Sequence, residues 1–596
     1  MAVSATVAKA EPRSPAIEVY DRVSEYRDRH SEVIWRGADA SVEALREVVA
    51  DLDRGLALLD EPLHRDLAEG NLHLHYRRYN FLIDKVKVHA RLGEVEAALD
   101  ALEALQRIGW HPGALDRLLE DRHVQALVQT PRFQAARRRE AVATRLAEAP
   151  ALAGGNHDRL SEAERVAGLS RLWSEARDGF VWFDQVPELD WDQAFLDFVP
   201  QVLAAADTAA YYRILMRFAA LLEDGHSSVS PPQALHAQLL SRPPMRTALV
   251  DGEVVVTAVA SRVLSALGID VGDVVLGIDG EDVHAYAERS VAPFIGASTA
   301  QDRAVRVYDY RLLAGAAETP VLLRLRKASS DTIEVRAPRN GYGRIEPPPT
   351  ETFEVRTDGI AVLQARQFGS DAALRLFEEH LDDIMAARGL ILDLRGNGGG
   401  STTHGWDILT WLSAEPLQGT SSRHRVGDAL DRARSGAQTP LRWRDLGGEP
   451  YRRERERTFR GPVVMLIDAR TYSAAEDTAA AFRLMRRGPI IGEPSGGSTG
   501  QPLFIDLPGG GSARICVKRD EWPDGSTFVG VGVLPDIEVR PTLEDIRAGT
   551  DPVLARALAL LSQTGTSPHS KPLPNTAAGR AGNGASSKAP GSGNAP

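Results

Sequence analysis

Three regimes of hydrophobic patterning follow one another along the chain. From residue 14 to about 145, leucine and alanine recur at three- and four-residue spacing, which predicts helices and almost no strand. Within that stretch, 79–110 reads as a helix, a tight turn at Leu92-Gly93-Glu94 and a second helix, with Ala90, Ala97 and Ala98 where the two would cross closely. A break at Gly154-Gly155-Asn156 predicts a linker, and an aromatic-rich helical block, 160–222, then runs into the polar loop LLEDGHSSVSPP. Residues 240–340 change period. EVVVTAV is a β-branched run, LGIDVGDVVLGIDGEDV gives turn, strand, Asp-Gly turn and strand, and VLLRLRK with TIEVRAPR forms a closing hairpin. From about 352 to 545, apolar runs at 359–368, 389–396, 462–468 and 489–493 alternate with helical patterns at 372–387 and 474–487. Strands apolar on both faces and spaced by helices predict a largely parallel sheet covered on both sides. Beyond about 563 the Gly/Pro/Ser/Ala-rich composition predicts disorder.

The chain thus reads as multidomain α+β: a helical domain at 14–150, a helical segment at 157–235, a β domain at 240–342, an α/β core at 350–548 and a disordered tail at 563–596. A length of 596 residues agrees with three to four domains at about 150 residues each. The net charge of −12 argues against nucleic acid as a partner, because neutralising phosphates needs a basic face. A single cysteine, Cys516, excludes an internal disulfide framework, and no His/Asp/Glu spacing resembles a metal site, so neither metal nor cofactor is expected. No apolar run approaches a membrane span. The start, MAVSATVAKAEPRSP, does not read as a secretory signal, so a cytoplasmic protein is expected. Only seven lysines are present, which leaves few candidates for a lysine base.

Three places could carry chemistry. In PVVMLIDARTYSAAEDTAAAFRLM a buried strand ends in a turn and Ser473 opens a helix, so its hydroxyl lies at the strand's carboxyl edge beside backbone N–H groups. A plain helix cap, with Glu476 completing a capping box, accounts for the same serine. In GLILDLRGNGGGSTTHG a strand ends in Asn397 and Gly398 to Gly400, where backbone N–H groups can approach a ligand closely. A phosphate loop is disfavoured there, since no Gly-Lys-Ser/Thr follows. His226, in EDGHSSVS, ends an apolar helix in a polar setting, where a structural histidine is the plain alternative.

Several segments resemble known families. The 79–110 pair resembles a tetratricopeptide-type helical pair, and LLEDRHVQALVQTPRF resembles a segment that closes such arrays. GDVVLGIDGEDV resembles the strand–turn–strand signature of a bacterial, circularly permuted PDZ domain, which takes an extended peptide as an added strand. LLEDGHSSV, that segment, LILDLRGNGGG, TYSAAEDTA with IIGEPSGGSTG, and GVGVLPDIEV stand in the order found in tail-specific (C-terminal processing) serine peptidases. The closer likeness is to the branch containing the tricorn core protease and the interphotoreceptor retinoid-binding protein repeats. The resemblance implies a crotonase-like α/β core, Ser473 as nucleophile, His226 as general base, and an oxyanion hole from Ala474 and the loop at Gly398–Gly399. It also implies peptides or unstructured protein C-termini as substrate, presented by the PDZ-like domain, with the helical domain as a protein-binding groove or homo-oligomer contact.

Departures from the pattern set further expectations. In the Ser-Lys branch a lysine lies where this chain has Ser498, and Lys518 is in a different segment, so the base should be histidine and rate should rise through a pKa near ~6.5. Gly225 stands where the tricorn core has a serine, and Val529 where it has its distal glutamate. The residue that orients the imidazole is unassigned; Glu521, Asp524, Ser228 and Glu476 are the candidates. Asp393 and Arg395 read as an arginine fork bracing the glycine loop or the helix bearing Glu476. His404 reads as a cleft or helix-start residue, and Glu493 and Asp536 as turn residues. The sequence therefore predicts a serine peptidase. The alternative is a catalytically weakened relative that binds a peptide or hydrophobic ligand.

Overall fold

The computed structural model describes residues 15–35, 40–70, 72–109, 113–149, 159–341, 349–427, 429, 433, 442–446 and 451–564. The expected linker at Gly154-Gly155-Asn156 and the tail from 565 onward lie outside them.

The N-terminal region is helical, as its periodicity requires. Leu72–Arg91 and Val95–Ile108 form the expected helix–turn–helix, and they share a core of Leu82, Val86, Leu99 and Leu102. The aromatic-rich block forms the helices Glu162–Gly179, Trp191–Leu203 and Thr208–Ala220. Ser161 and Glu164 close a capping box on the first of them. This block belongs to the same hydrophobic core as the C-terminal sheet, with Trp191 stacked on Phe218 at 4.2 Å.

Residues 240–342 contain an antiparallel sheet in the order Met245–Val250, Glu253–Val259, Val274–Ile278, Val321–Arg326, Thr332–Ala337, around its own core. The closing hairpin expected from VLLRLRK and TIEVRAPR pairs Val321 with Ala337 through Arg326 with Thr332.

The C-terminal α/β unit is built on a six-stranded sheet in the order Ile537–Glu538, Ile490–Gly492, Val463–Ile467, Gly389–Asp393, Ile360–Ala365, Glu351–Val355. Its pairings are parallel except at the last edge, where Glu351–Val355 runs antiparallel. Gly389–Asp393 and Val463–Ile467 are buried throughout, the signature of strands covered on both faces. One face carries the helix Ala474–Met485, and Val553, Ala557 and Leu561 of the helix Pro552–Thr564 cover the other. That last helix corrects the expected end of the core at 548, because without it Ile360, Ile391 and Val464 would face water. A three-stranded antiparallel ribbon, Ser228–Ser230, Gly511–Cys516, Pro502–Leu507, ties the stretch after His226 to the core.

Candidate active site

Both central strands end in loops that grip each other. After Gly389–Asp393, buried Asn397 donates its side-chain amide to Ala365 O at 2.9 Å and accepts from Gly399 N–H at 2.9 Å. After Val463–Ile467, Tyr472 N–H donates to Asn397 O at 2.9 Å and Thr471 Oγ1 donates to Leu394 O at 3.0 Å. Ser473 emerges from this brace at φ +55°, ψ −126°, a strained conformation for a residue with a side chain. Gly399, at φ +94°, has no room for a side chain: a Cβ there would stand 2.7 Å from Ser473 Cβ. Glycine is required because the backbone of the loop packs directly against the serine.

The capping-box reading of Ser473 fails on this geometry. Its side chain makes no cap hydrogen bond, and the Glu476 carboxylate turns away to accept from Ser495 Oγ (2.5 Å), Gly497 N–H (2.7 Å) and Ser498 N–H (2.9 Å). Burial pushes the Glu476 pKa up to about 7. Ser473 Oγ is free to meet His226 Nε2 at 3.1 Å. The N–H groups of Gly398 and Ala474 have no hydrogen-bond partner among the described residues, whereas that of Gly399 is held by Asn397.

His226 is buried, and each of its edges is engaged. Its Nδ1 lies 2.8 Å from Ser498 Oγ, which in turn reaches Asp224 Oδ1 at 3.4 Å. Its ring stacks on Tyr472 at 4.9 Å, and Arg306 lies over the same tyrosine at 5.1 Å. A ring that donates from Nδ1 to Ser498 leaves Nε2 unprotonated, able to accept the Ser473 proton. Burial, then the charges of Arg514, Arg306 and Lys518, hold the His226 pKa well below 6.5, which corrects the expectation of a titration near that value. Lys518 itself is paired with Asp520 at 3.0 Å; burial opposes its charge, but Asp520 and Asp477 outweigh it and raise its pKa. A cation held this firmly is no base.

The four candidates for orienting the imidazole lie elsewhere. Glu521 accepts from Arg423 and Arg519 at 2.8 and 2.9 Å, Asp524 caps Ser526, and Ser228 Oγ accepts from Arg514 at 3.0 Å. Glu476 acts one step removed, by fixing the backbone of Ser498. The residue facing Nδ1 is Ser498, whose signal in the sequence was its position in the place of the other branch's lysine. Val529 is buried in the core, and its carbonyl accepts from Gln185 at 3.1 Å. Gly225 is explained by its neighbour: a Cβ there would lie 2.1 Å from Tyr472 Oη.

Asp393 forms the arginine fork, which holds the Arg395 backbone where the glycine loop begins. It accepts from Arg366 and Arg395, and Arg395 reaches on to Asp551 at the start of the final helix, not to the helix bearing Glu476. His404 Nδ1 meets Phe368 O at 2.9 Å, and Asp536 accepts from Ile490 N–H at 2.8 Å as a turn residue does. Among the described residues no cluster of His, Cys, Asp and Glu could hold a metal ion.

Residues 359–539 match the model of Peptidase family S41. That stretch coincides with most of the C-terminal α/β unit. Ser473, the glycine loop and Ser498 fall within the matched stretch, and His226 precedes it. The chain is 25% identical over 231 residues to the carboxy-terminal processing protease CtpA of Bacillus subtilis (38% of this chain, 44% of that protein). It is 24% identical over 279 residues to a carboxyl-terminal-processing protease of Picosynechococcus (46% and 58%). It is 30% identical over 185 residues to a putative tricorn protease homolog of Streptomyces coelicolor (29% and 13%). The chain thus spans about half the length of the carboxy-terminal processing proteases it matches. A crystal structure of a CPAF mutant shares its fold at a TM-score of 0.55, with 15% identity over 69% of this chain and 99% of that one.

Proposed function

We propose that this chain is a serine peptidase that cleaves peptide bonds by acyl transfer. The observation that carries the reading is the contact of 3.1 Å between Ser473 Oγ and His226 Nε2, made by a serine held in a strained turn at a helix N-terminus. In this reading His226 takes the proton of Ser473 as the hydroxyl attacks the scissile carbonyl, then returns it to the leaving amine. The N–H groups of Ala474 and Gly398 stabilise the oxyanion; Gly399 contributes by its close approach, because its own N–H is already committed to Asn397. Ser498, backed by Asp224, takes the orienting role that was left unassigned.

The substrate is a peptide or an unstructured protein C-terminus, in keeping with the names of the carboxy-terminal processing relatives. Residues 240–342 act as a PDZ-like presenting domain, an assignment supported by their separate antiparallel sheet and core. Residues 14–150 act as a tetratricopeptide-like docking or self-association domain, supported by the paired helices Leu72–Arg91 and Val95–Ile108. With both members of the Ser–His pair in contact, the reading as a ligand-binding protein has no observation in its favour.

A fluorophosphonate probe tests the proposal without knowledge of the substrate. Wild-type protein is expected to label, with Ser473→Ala silent and His226→Ala slower by roughly 10³-fold or more. Equal labelling of wild type and Ser473→Ala would overturn the assignment.

A further inference from the structure

Behind the loop that carries His226, a cavity of about 530 Å³ opens between the strand Ser228–Ser230 and the helical segment that contains Arg306 and Arg311. Arg242, Arg306, Arg311 and Arg514 line it, together with Tyr310 and Ser228, and no aspartate or glutamate is among its lining residues. Guanidinium groups gathered in a partly buried space repel one another unless anions neutralise them, so such groups are ordinarily paired. Here the pairing is incomplete. Arg306 donates to Asp302 at 2.6 Å, whereas Arg514 spends its donors on Ser228 Oγ and Gly225 O, both at 3.0 Å. Among the described residues the Arg311 guanidinium has no hydrogen-bond or ion-pair partner, and burial with the neighbouring charges of Arg242 and Arg306 lowers its pKa.

We propose that this cavity binds a small polyanion bearing phosphate or carboxylate groups, and that the bound anion makes His226 a stronger base. Several converging guanidinium forks recognise oxyanions by paired, charge-assisted hydrogen bonds. The coupling to His226 is short. Arg306 and Arg514 both donate to the carbonyl of Gly225, at 3.1 and 3.0 Å, the residue before the histidine. The groups around the imidazole are Ser473, Ser498 with Asp224 behind it, Tyr472, and the cations Arg306, Arg514 and Lys518. An anion on the two arginines offsets the charge of two of the three cations that disfavour the protonated ring. The anion site stands independently of the peptidase reading; only the meaning of the shift for catalysis rests on that reading.

Calorimetric titration of the full chain with pyrophosphate and, separately, with citrate at fixed ionic strength tests the site. Saturable one-to-one binding of at least one of them is expected, unchanged in Ser473→Ala and weakened roughly tenfold or more by Arg311→Met and by Ala220→Glu. The tighter of the two tells phosphate from carboxylate recognition. Arg311→Met keeps the apolar stem and breaks no bond, and Ala220→Glu adds a competing carboxylate from the cavity wall. Absence of saturable binding by either anion, or binding that neither substitution weakens, overturns the site. The ring titration of His226, followed by NMR of histidine-labelled protein and assigned with His226→Gln, should move to higher pH on saturation. An unmoved midpoint in the saturated protein overturns the coupling. Neither readout uses turnover, so anion binding by a chain that fails to label counts against the peptidase reading alone.

Discussion

Ser473 and His226 meet across 3.1 Å, yet they are held in place by different kinds of structure. Ser473 sits within the stretch that matches the S41 model, where two loops that leave adjacent parallel strands meet. Most of the contacts that fix it join segments 394–400 and 468–473, which the strand pairing already brings together, and its own N–H donates to Ser498 O at 3.2 Å. His226 precedes that stretch and lies on no regular element. It is fixed by residues far along the chain: Ser298 accepts from Gly225 N–H, Arg306 and Arg514 hold Gly225 O, and Ser498 meets the ring itself. The serine inherits most of its geometry from the sheet, sharing only Ser498 with its partner, whereas the histidine depends on how the 240–342 region and the 495–514 stretch pack around it. Damage should therefore differ in kind on the two sides.

Apart from loss of Ser473 or His226 itself, the largest effect is expected on the serine side, from Gly399→Ala. The added methyl would meet Ser473 Cβ at 2.7 Å and Tyr472 O at 2.8 Å, both fixed by the brace, so neither can retreat. The serine and the oxyanion donors would shift together, and labelling by a fluorophosphonate should fall roughly 10²–10³-fold with little change in the His226 titration. On the histidine side, Gly225→Ser should cost roughly 10²-fold, because its Cβ would lie 2.1 Å from Tyr472 Oη. Tyr472→Phe removes that oxygen and should restore part of the loss in the double variant. A double variant no better than Gly225→Ser alone would mean that the phenol is not what requires glycine there.

Smaller still is Ser498→Ala. It removes one neutral hydrogen bond to Nδ1 and leaves Glu476 holding the same backbone, so a loss of roughly tenfold is expected. Labelling kinetics of the purified variant decide this, and an unchanged rate would return the orienting role to the open list.

The same contrast governs what was legible in the sequence. Strand ends, the glycine loop and the serine at a helix start follow from local pattern, and each stands where periodicity put it. The helix Pro552–Thr564 escaped because its pattern borders a low-complexity tail, although it covers one face of the sheet. The orienter escaped for a different reason. Ser498 and His226 are 272 residues apart, and nothing local about a serine in a glycine-rich turn announces a partner so distant. Glu521 and Asp524 suggested themselves by charge, but an acid near the expected place is taken by whichever arginine or turn lies closest: Arg423 and Arg519 for the first, Ser526 for the second. Gly225 and Tyr472 make one steric unit that only three-dimensional packing reveals.

The pH profile is the mildest probe, and it separates the two sides most cleanly. Glu476, pushed to about 7 by burial, holds the backbone of Ser498 and touches neither Ser473 Oγ nor the imidazole, so the limb that reports the proton acceptor belongs to His226. Burial comes first among the causes that lower its pKa, followed by Arg514, Arg306 and Lys518. A folded pKa below the unfolded value of ~6.5 means that the neutral ring, the form that accepts a proton, already prevails at neutral pH. Labelling should therefore stay level from pH 8 down through 6.5 and decline only in more acid solution. Stability moves with the same sign: the contribution of the buried neutral ring is fully present above ~6.5 and is lost as pH falls toward the folded pKa. Replacing Arg306 by glutamine removes one of the cations and should move the labelling limb toward neutral pH, while Gly399→Ala should lower the plateau and leave the limb in place. A wild-type limb centred at 6.5 or above that Arg306→Gln leaves in place would show that the arginines do not act on the histidine, and the distinction between a locally built serine and a remotely tuned base would fail at its second term.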